Sequence, residues 1–155
     1  MRKRSRYRPR GVILDTMAWV KSGMKRVAEL EGIALTLKIK NHNALANLVQ
    51  GRGGRDDIDI LIAAFNMTEA LSRIRPELGA DWSVEIRAAQ DALLSMAQRG
   101  VERGRFLFTG PEMQAINLGM ELHDAQLERC TVKEVERGLD LVNQEILNKR
   151  ARTVI

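Results

Sequence analysis

The sequence is poor in the residues that usually announce a chemistry. It has one cysteine, Cys130, so no disulfide can form within the chain. A lone thiol without a framework fits a reducing compartment. It has two histidines, His42 and His123, far apart in sequence, and no cysteine at ligand spacing, which argues against a metal centre. Aromatic residues make up 4% of the chain. No apolar run approaches the roughly 20 residues of a membrane helix. The cationic start is followed only by Val12, Ile13 and Leu14 before Asp15, too short for a secretory apolar region. These absences predict an intracellular, cytoplasmic protein with no cofactor and no metal.

What is present is enough to fold. With 155 residues, 45% of them hydrophobic and 29% charged, the chain is sized for one ordinary domain and needs no staple. The composition is not that of a disordered, collagen-like or disulfide-held chain.

Charge is distributed unevenly. Arg2, Lys3, Arg4, Arg6, Arg8 and Arg10 fall within the first ten residues, ahead of any acid. Without those six, 19 basic side chains face 20 acidic ones. The sequence therefore divides into a basic arm, residues 1–14, and a near-neutral domain, residues 15–155. Pro9, Gly11 and the mutual repulsion of like charges predict that the arm is extended.

Apolar spacing predicts an all-α domain of five to six helices. Asp15 can cap a short helix through Met17, Trp19 and Val20, ending near Gly23. A segment from Lys25 to Gln50 carries Val27, Leu30, Ala34 and Leu37 at helical spacing. Within it, Ile33, Leu35, Leu37 and Ile39 alternate with other residues as a half-buried strand would; flanking helix formers favour helix. Gly51-Arg52-Gly53-Gly54-Arg55 breaks the chain. Asp56 and Asp57 then mark a helix start, and Pro76 and Gly79 its end. That helix has two apolar stripes, one through Ile58, Leu61, Ile62 and Phe65, the other through Ile60, Met67, Leu71 and Ile74, which places it centrally.

Asp81 opens the next helix, with Trp82, Ile86, Ala89, Leu93 and Met96 as its seam, loosened at Gly100 and Gly104. Both tryptophans, Trp19 and Trp82, are expected in the core. Phe106-Leu107-Phe108 reads as an extended segment, and Thr109-Gly110-Pro111-Glu112 as a helix entrance. Thr131-Val132-Lys133-Glu134 matches a capping box for the last helix. There Val132, Val135, Leu139, Val142 and Ile146 repeat at 3-4-3-4, one narrow seam for a partner helix.

The arm carries the strongest functional signal. Guanidinium pairs with phosphate through two parallel hydrogen bonds, and Tyr7 can stack on an unpaired base. Arg2, Lys3, Arg4, Arg6, Tyr7, Arg8 and Arg10 are the candidate nucleic-acid contacts, with DNA and RNA not distinguished. Arg99, Arg103 and Arg105 form a second basic spot, partly offset by Glu102. The competing readings of the arm are an acidic protein surface or a solubilising tail.

Other constellations fail on chemistry. The glycine turn at 51–54 lacks the Gly-Lys-Ser/Thr of a phosphate loop, and Asp56 and Asp57 would repel phosphate there. Glu121, Asp124 and Glu128 share a helix face near His123, but a solvated acidic stripe explains them better than a cation site. Cys130 reads as a small apolar filler. No nucleophile, base and orienter can be assembled, so an enzyme is not expected.

The opening Arg2-Lys3-Arg4-Ser5-Arg6-Tyr7-Arg8-Pro9-Arg10-Gly11, with Glu121-Leu122-His123-Asp124-Ala125-Gln126-Leu127 before a capped last helix, resembles small helical proteins encoded by bacteriophages and prophages. The resemblance implies expression in a bacterial host and an accessory or regulatory role, including binding to host machinery. The expected function is a non-enzymatic protein whose arm contacts nucleic acid. The alternative is a protein–protein module, an inhibitor or adaptor of a host complex that can also self-associate.

Overall fold

Local cap chemistry sets most of the helix boundaries. In the computed structural model, which describes residues 23–30 and 32–151, five α-helices follow one another: α1 Ile33–Val49, α2 Arg55–Ile74, α3 Ser83–Arg103, α4 Gly110–Arg129 and α5 Val132–Leu147. The fold is all-α and single-domain. The arm and the helix expected from Asp15 to Val20 lie outside the described residues.

The capping box predicted at Thr131 forms, and the helix entrance at Thr109 proves to be a second one. The Thr109 hydroxyl accepts from the Glu112 amide and the Glu112 carboxylate accepts from the Thr109 amide at 2.8 Å. Thr131 and Glu134 repeat the arrangement, with the Thr131 amide donating at 2.8 Å. Each box satisfies two amides that a helix start would leave open.

Helix α2 is the axis of the domain, packed against all four of the other helices. Its two-sided apolarity is the reason. Ile58, Leu61 and Phe65 join Leu45, Leu48, Leu93, Met96, Ile116 and Met120 in the larger core cluster. On its other side Met67 and Leu71 meet Val27, Leu78, Leu127 and Cys130. Helices α3 and α4 approach closely at Gly119, where a Cβ would stand 2.6 Å from that of Ala89 and 2.9 Å from the Phe65 ring. No larger residue fits there without moving the helices apart.

Two sequence expectations are corrected. The segment from Lys25 does not run as one helix: Val27–Glu29 forms a 3₁₀ turn, and α1 starts only after Gly32, whose φ is +76°. Long-range pairing explains this, since Arg26 bridges to Thr131 and the Val27 amide donates to the Cys130 carbonyl at 3.0 Å. Residues 33–40 are helical, as the flanking helix formers favoured, and the alternating Ile33, Leu35, Leu37 and Ile39 are all exposed, so the period-two pattern buries no face. Trp82 is 46% exposed, because it sits in a 3₁₀ turn just before α3 and outside its seam. Trp19 lies outside the described residues.

The last correction concerns α5. Val132 and Val135 pack on the smaller core cluster as the seam predicts. Gly138 lies against Met67 and Ala70, while Leu139 and Ile146 remain 51% and 54% exposed. With the glycine turned towards α2, the larger seam residues fall to one side.

Candidate nucleic-acid interface

The seven arm residues singled out from the sequence, Arg2, Lys3, Arg4, Arg6, Tyr7, Arg8 and Arg10, lie outside the described residues. One end of the described domain carries four further arginines. Two loops meet there. The turn between α1 and α2 is built on the Asn47 carbonyl, which accepts from the Arg52 and Gly53 amides, both at 2.9 Å. Gly51 takes φ +69°, and a Cβ on it would lie 3.5 Å from Leu107 and 4.0 Å from the Arg105 guanidinium. The α1–α2 turn therefore abuts the α3–α4 loop, which sequence spacing alone could not reveal.

Arg52, Arg55, Arg103 and Arg105 surround this junction and are exposed. None of the four side chains makes an ion pair or hydrogen bond among the described residues. Asp56, Asp59 and Glu102 are exposed nearby, so the cations alternate with acids and do not form a uniform patch. Such a surface suits a secondary phosphate contact rather than a principal one.

Arg99 has a different role from Arg103 and Arg105. Its guanidinium donates to Glu112 at 2.8 Å through Nη1 and to the Leu107 carbonyl at 2.9 Å. This pair ties the α3–α4 loop to the start of α4. The Arg99 hydrogen bond lowers the Glu112 carboxyl pKa against the opposing effect of burial, and Glu112 in turn raises that of Arg99. Arg99 is thus held in the fold, and of the expected spot Arg103 and Arg105 have no side-chain partner among the described residues.

The glycine turn cannot cradle a phosphate. The Asp57 carboxylate already accepts from the Gly54 amide and from Asn47 Nδ2, both at 3.0 Å. The start of α2 is capped by its own anion. Gly53 is required for packing instead, since a Cβ there would fall 2.5 Å from Leu48 Cδ2.

The acidic face of α4 is in large part solvated, as expected, and two of its carboxylates also clamp α1. Lys38 Nζ donates to Glu128 at 2.6 Å, and His42 Nε2 stands 2.8 Å from Asp124 Oδ2. Glu121 remains exposed. Among the described residues no group of three metal-ligating side chains assembles.

Beneath the clamp lies a buried polar network that the sequence did not announce. His123 is 4% exposed, and its Nδ1 is 3.0 Å from the Thr68 hydroxyl, which itself donates to the Ala64 carbonyl at 2.9 Å. The hydroxyl proton being used, the imidazole Nδ1–H is the donor to Thr68. Burial lowers the His123 pKa to about 4, and the nearby His42 and Lys38 act in the same direction against Asp124. Gln126 adds two bonds, donating to the Thr68 and Leu78 carbonyls at 3.0 and 2.9 Å. These groups join α2 to α4. Cys130 is buried with its pKa pushed up to about 11, an inert filler of the smaller core cluster.

Comparison with protein families, curated proteins and solved structures finds no match to this chain. No helix among the described residues is long and apolar enough to cross a membrane.

Proposed function

We propose that this chain is a non-enzymatic binding protein that contacts nucleic acid phosphates through Arg2, Lys3, Arg4, Arg6, Arg8 and Arg10, with Tyr7 available to stack on a base. The observation that carries this reading is the concentration of six cations in ten positions on a remainder of net charge −1. Salt-bridge arithmetic in the domain supports it. Lys38, Arg75, Arg87 and Arg99 are taken by Glu128, Glu134, Glu69 and Glu112. The arm is therefore the dense cationic element, and Arg52, Arg55, Arg103 and Arg105 are a secondary contact. An accessory or regulatory role in a bacterial host, as the phage resemblance implies, is compatible with such a binder.

A salt titration tests the proposal on single- and double-stranded DNA and RNA. For duplex DNA each lost phosphate contact lowers the slope of log K against log salt by roughly 0.9. Replacing all six arm cations with glutamine should flatten most of the slope. Replacing Arg52, Arg55, Arg103 and Arg105 should flatten it less. Binding that is unchanged by the six arm substitutions overturns the assignment.

A further inference from the structure

Helix α5 leaves half of its seam uncovered beside a groove. The helix lies antiparallel to α2, with Glu134 ion-paired to Arg75 at 3.0 Å near one end and Gly138 against Met67 and Ala70 further along. It has no comparable contact with α3. Between α3 and α5, over α2, runs a groove of about 480 Å³, floored by Phe65 and Leu93 and walled on one side by Val142 and Ile146. Leu139 is on the same side of α5, one turn from Val142.

We propose that α5 pairs antiparallel with α5 of a second copy of this chain, through Leu139, Val142 and Ile146, across that groove. Two observations on the helix select this occupant. The first is spacing. The 3-4-3-4 repeat is that of helices that interlock side by side, and its first two members, Val132 and Val135, are met within the chain. The remaining three are matched by a rod of the same period, which α5 itself is.

The second observation is charge polarity along the helix. Its first half holds Glu134, Glu136 and Asp140 against Lys133 and Arg137; its last turn holds Glu145, and the turn that follows Leu147, where Lys149 takes φ +55°, holds Lys149 and Arg150. A two-fold axis near Asn143 sets each acidic half beside the cationic end of the other copy, whereas a parallel pair would align like with like. Glu136 flanks the seam and has no partner among the described residues. Arg150 lines the groove beside Ile146, 67% exposed and held by Glu145 only at 3.5 Å. The antiparallel arrangement brings Glu136 of one copy to Arg150 of the other, twice by symmetry.

At the two-fold axis, Asn143 faces its own counterpart, and two amides satisfy each other.

Sedimentation velocity on nuclease-treated full-length protein decides the matter. A concentration-dependent dimer is expected. Leu139→Glu and Ile146→Glu, both at exposed positions, should give monomers with unchanged circular dichroism. Glu136→Arg and Arg150→Glu should each weaken the dimer several-fold, and the double variant should restore it. A chain that stays monomeric up to the high-micromolar range overturns the proposal, as does a dimer indifferent to both glutamates. Failure of the double variant to restore association overturns the antiparallel pairing.

Discussion

Lowering the pH should unfold this protein through His123. The imidazole ordinarily titrates near 6.5, and in the fold its value is about 4. The unfolded chain therefore takes up a proton over that interval that the folded chain refuses. Stability is at its full value above about pH 6.5 and falls as the pH drops to about 4, below which this residue adds no further loss. A shift of this size is worth about 3 kcal/mol at most, a large part of the stability of a domain of this size. The cause is structural: a charged ring would sit out of water, with Lys38 and His42 close by, and its one hydrogen bond is already satisfied by the neutral form. Urea unfolding followed by circular dichroism, at steps from pH 7.5 to 4, measures the effect. Carboxylates also titrate there, so the informative quantity is the difference between the native chain and His123→Asn, which keeps a donor near Thr68. The variant should be less stable at pH 7.5, and the gap should close by about 3 kcal/mol towards pH 4. A gap independent of pH would refute the argument, as would an NMR titration placing His123 near 6.5.

Further outcomes follow from single contacts. Gly119→Ala forces a methyl group against Ala89 and Phe65 and should cost about 1–3 kcal/mol, whereas Gly138→Ala meets the flexible end of Met67 and should be neutral or stabilising by up to about 1 kcal/mol; thermal melts compare the two. Arg99→Gln removes the tie between the α3–α4 loop and Glu112 and should destabilise by about 1–3 kcal/mol, with faster amide exchange at Leu107–Thr109. Cys130 should react with a thiol reagent only at the rate of opening of the domain, since it is fully buried and its thiolate is disfavoured.

What could be read from the sequence was chemistry contained within a few residues. Thr131 with Glu134 marks a helix start because cap and partner are three positions apart, and Pro111 marks another because a first turn does not need its missing N–H. The centrality of α2 was legible from its two apolar stripes. What could not be read depends on residues far apart in the chain. Nothing near Lys25 says that Arg26 will pair with Thr131 and so delay the start of α1. Lys38 and His42 meet Glu128 and Asp124 across 90 and 82 positions. The clamp on α1 was therefore not visible, and the burial of His123 beneath it left no local trace. At the candidate interface the individual arginines were visible, but their sorting was not: Arg99 looked equivalent to Arg103 until Glu112 stood beside it. The seam of α5 was met only in part: Val132 and Val135 pack on the domain, whereas Leu139 and Ile146 stay exposed and Gly138 lies against Met67 instead.

The dimer and the arm, if both operate, make a joint prediction that neither makes alone. Arg26 is bridged to Thr131 at the start of α5. In an antiparallel pair these two starts lie at opposite ends, separated along the axis by roughly 35 Å when the two-fold passes near Asn143. Two arms then act on one polyanion from two points, and the second engagement is intramolecular. A dimer should neutralise twice as many phosphates as a monomer, so Leu139→Glu should roughly halve the salt slope and lower the affinity for long duplexes by about 100-fold. It should leave untouched the slope contributed by each arm. Glutamine replacement of the six arm cations should flatten the slope in dimer and monomer alike. A monomeric Leu139→Glu variant with the full slope of the native chain would mean that each arm binds alone, and that the pairing of α5 serves some purpose other than joining two arms on one nucleic acid.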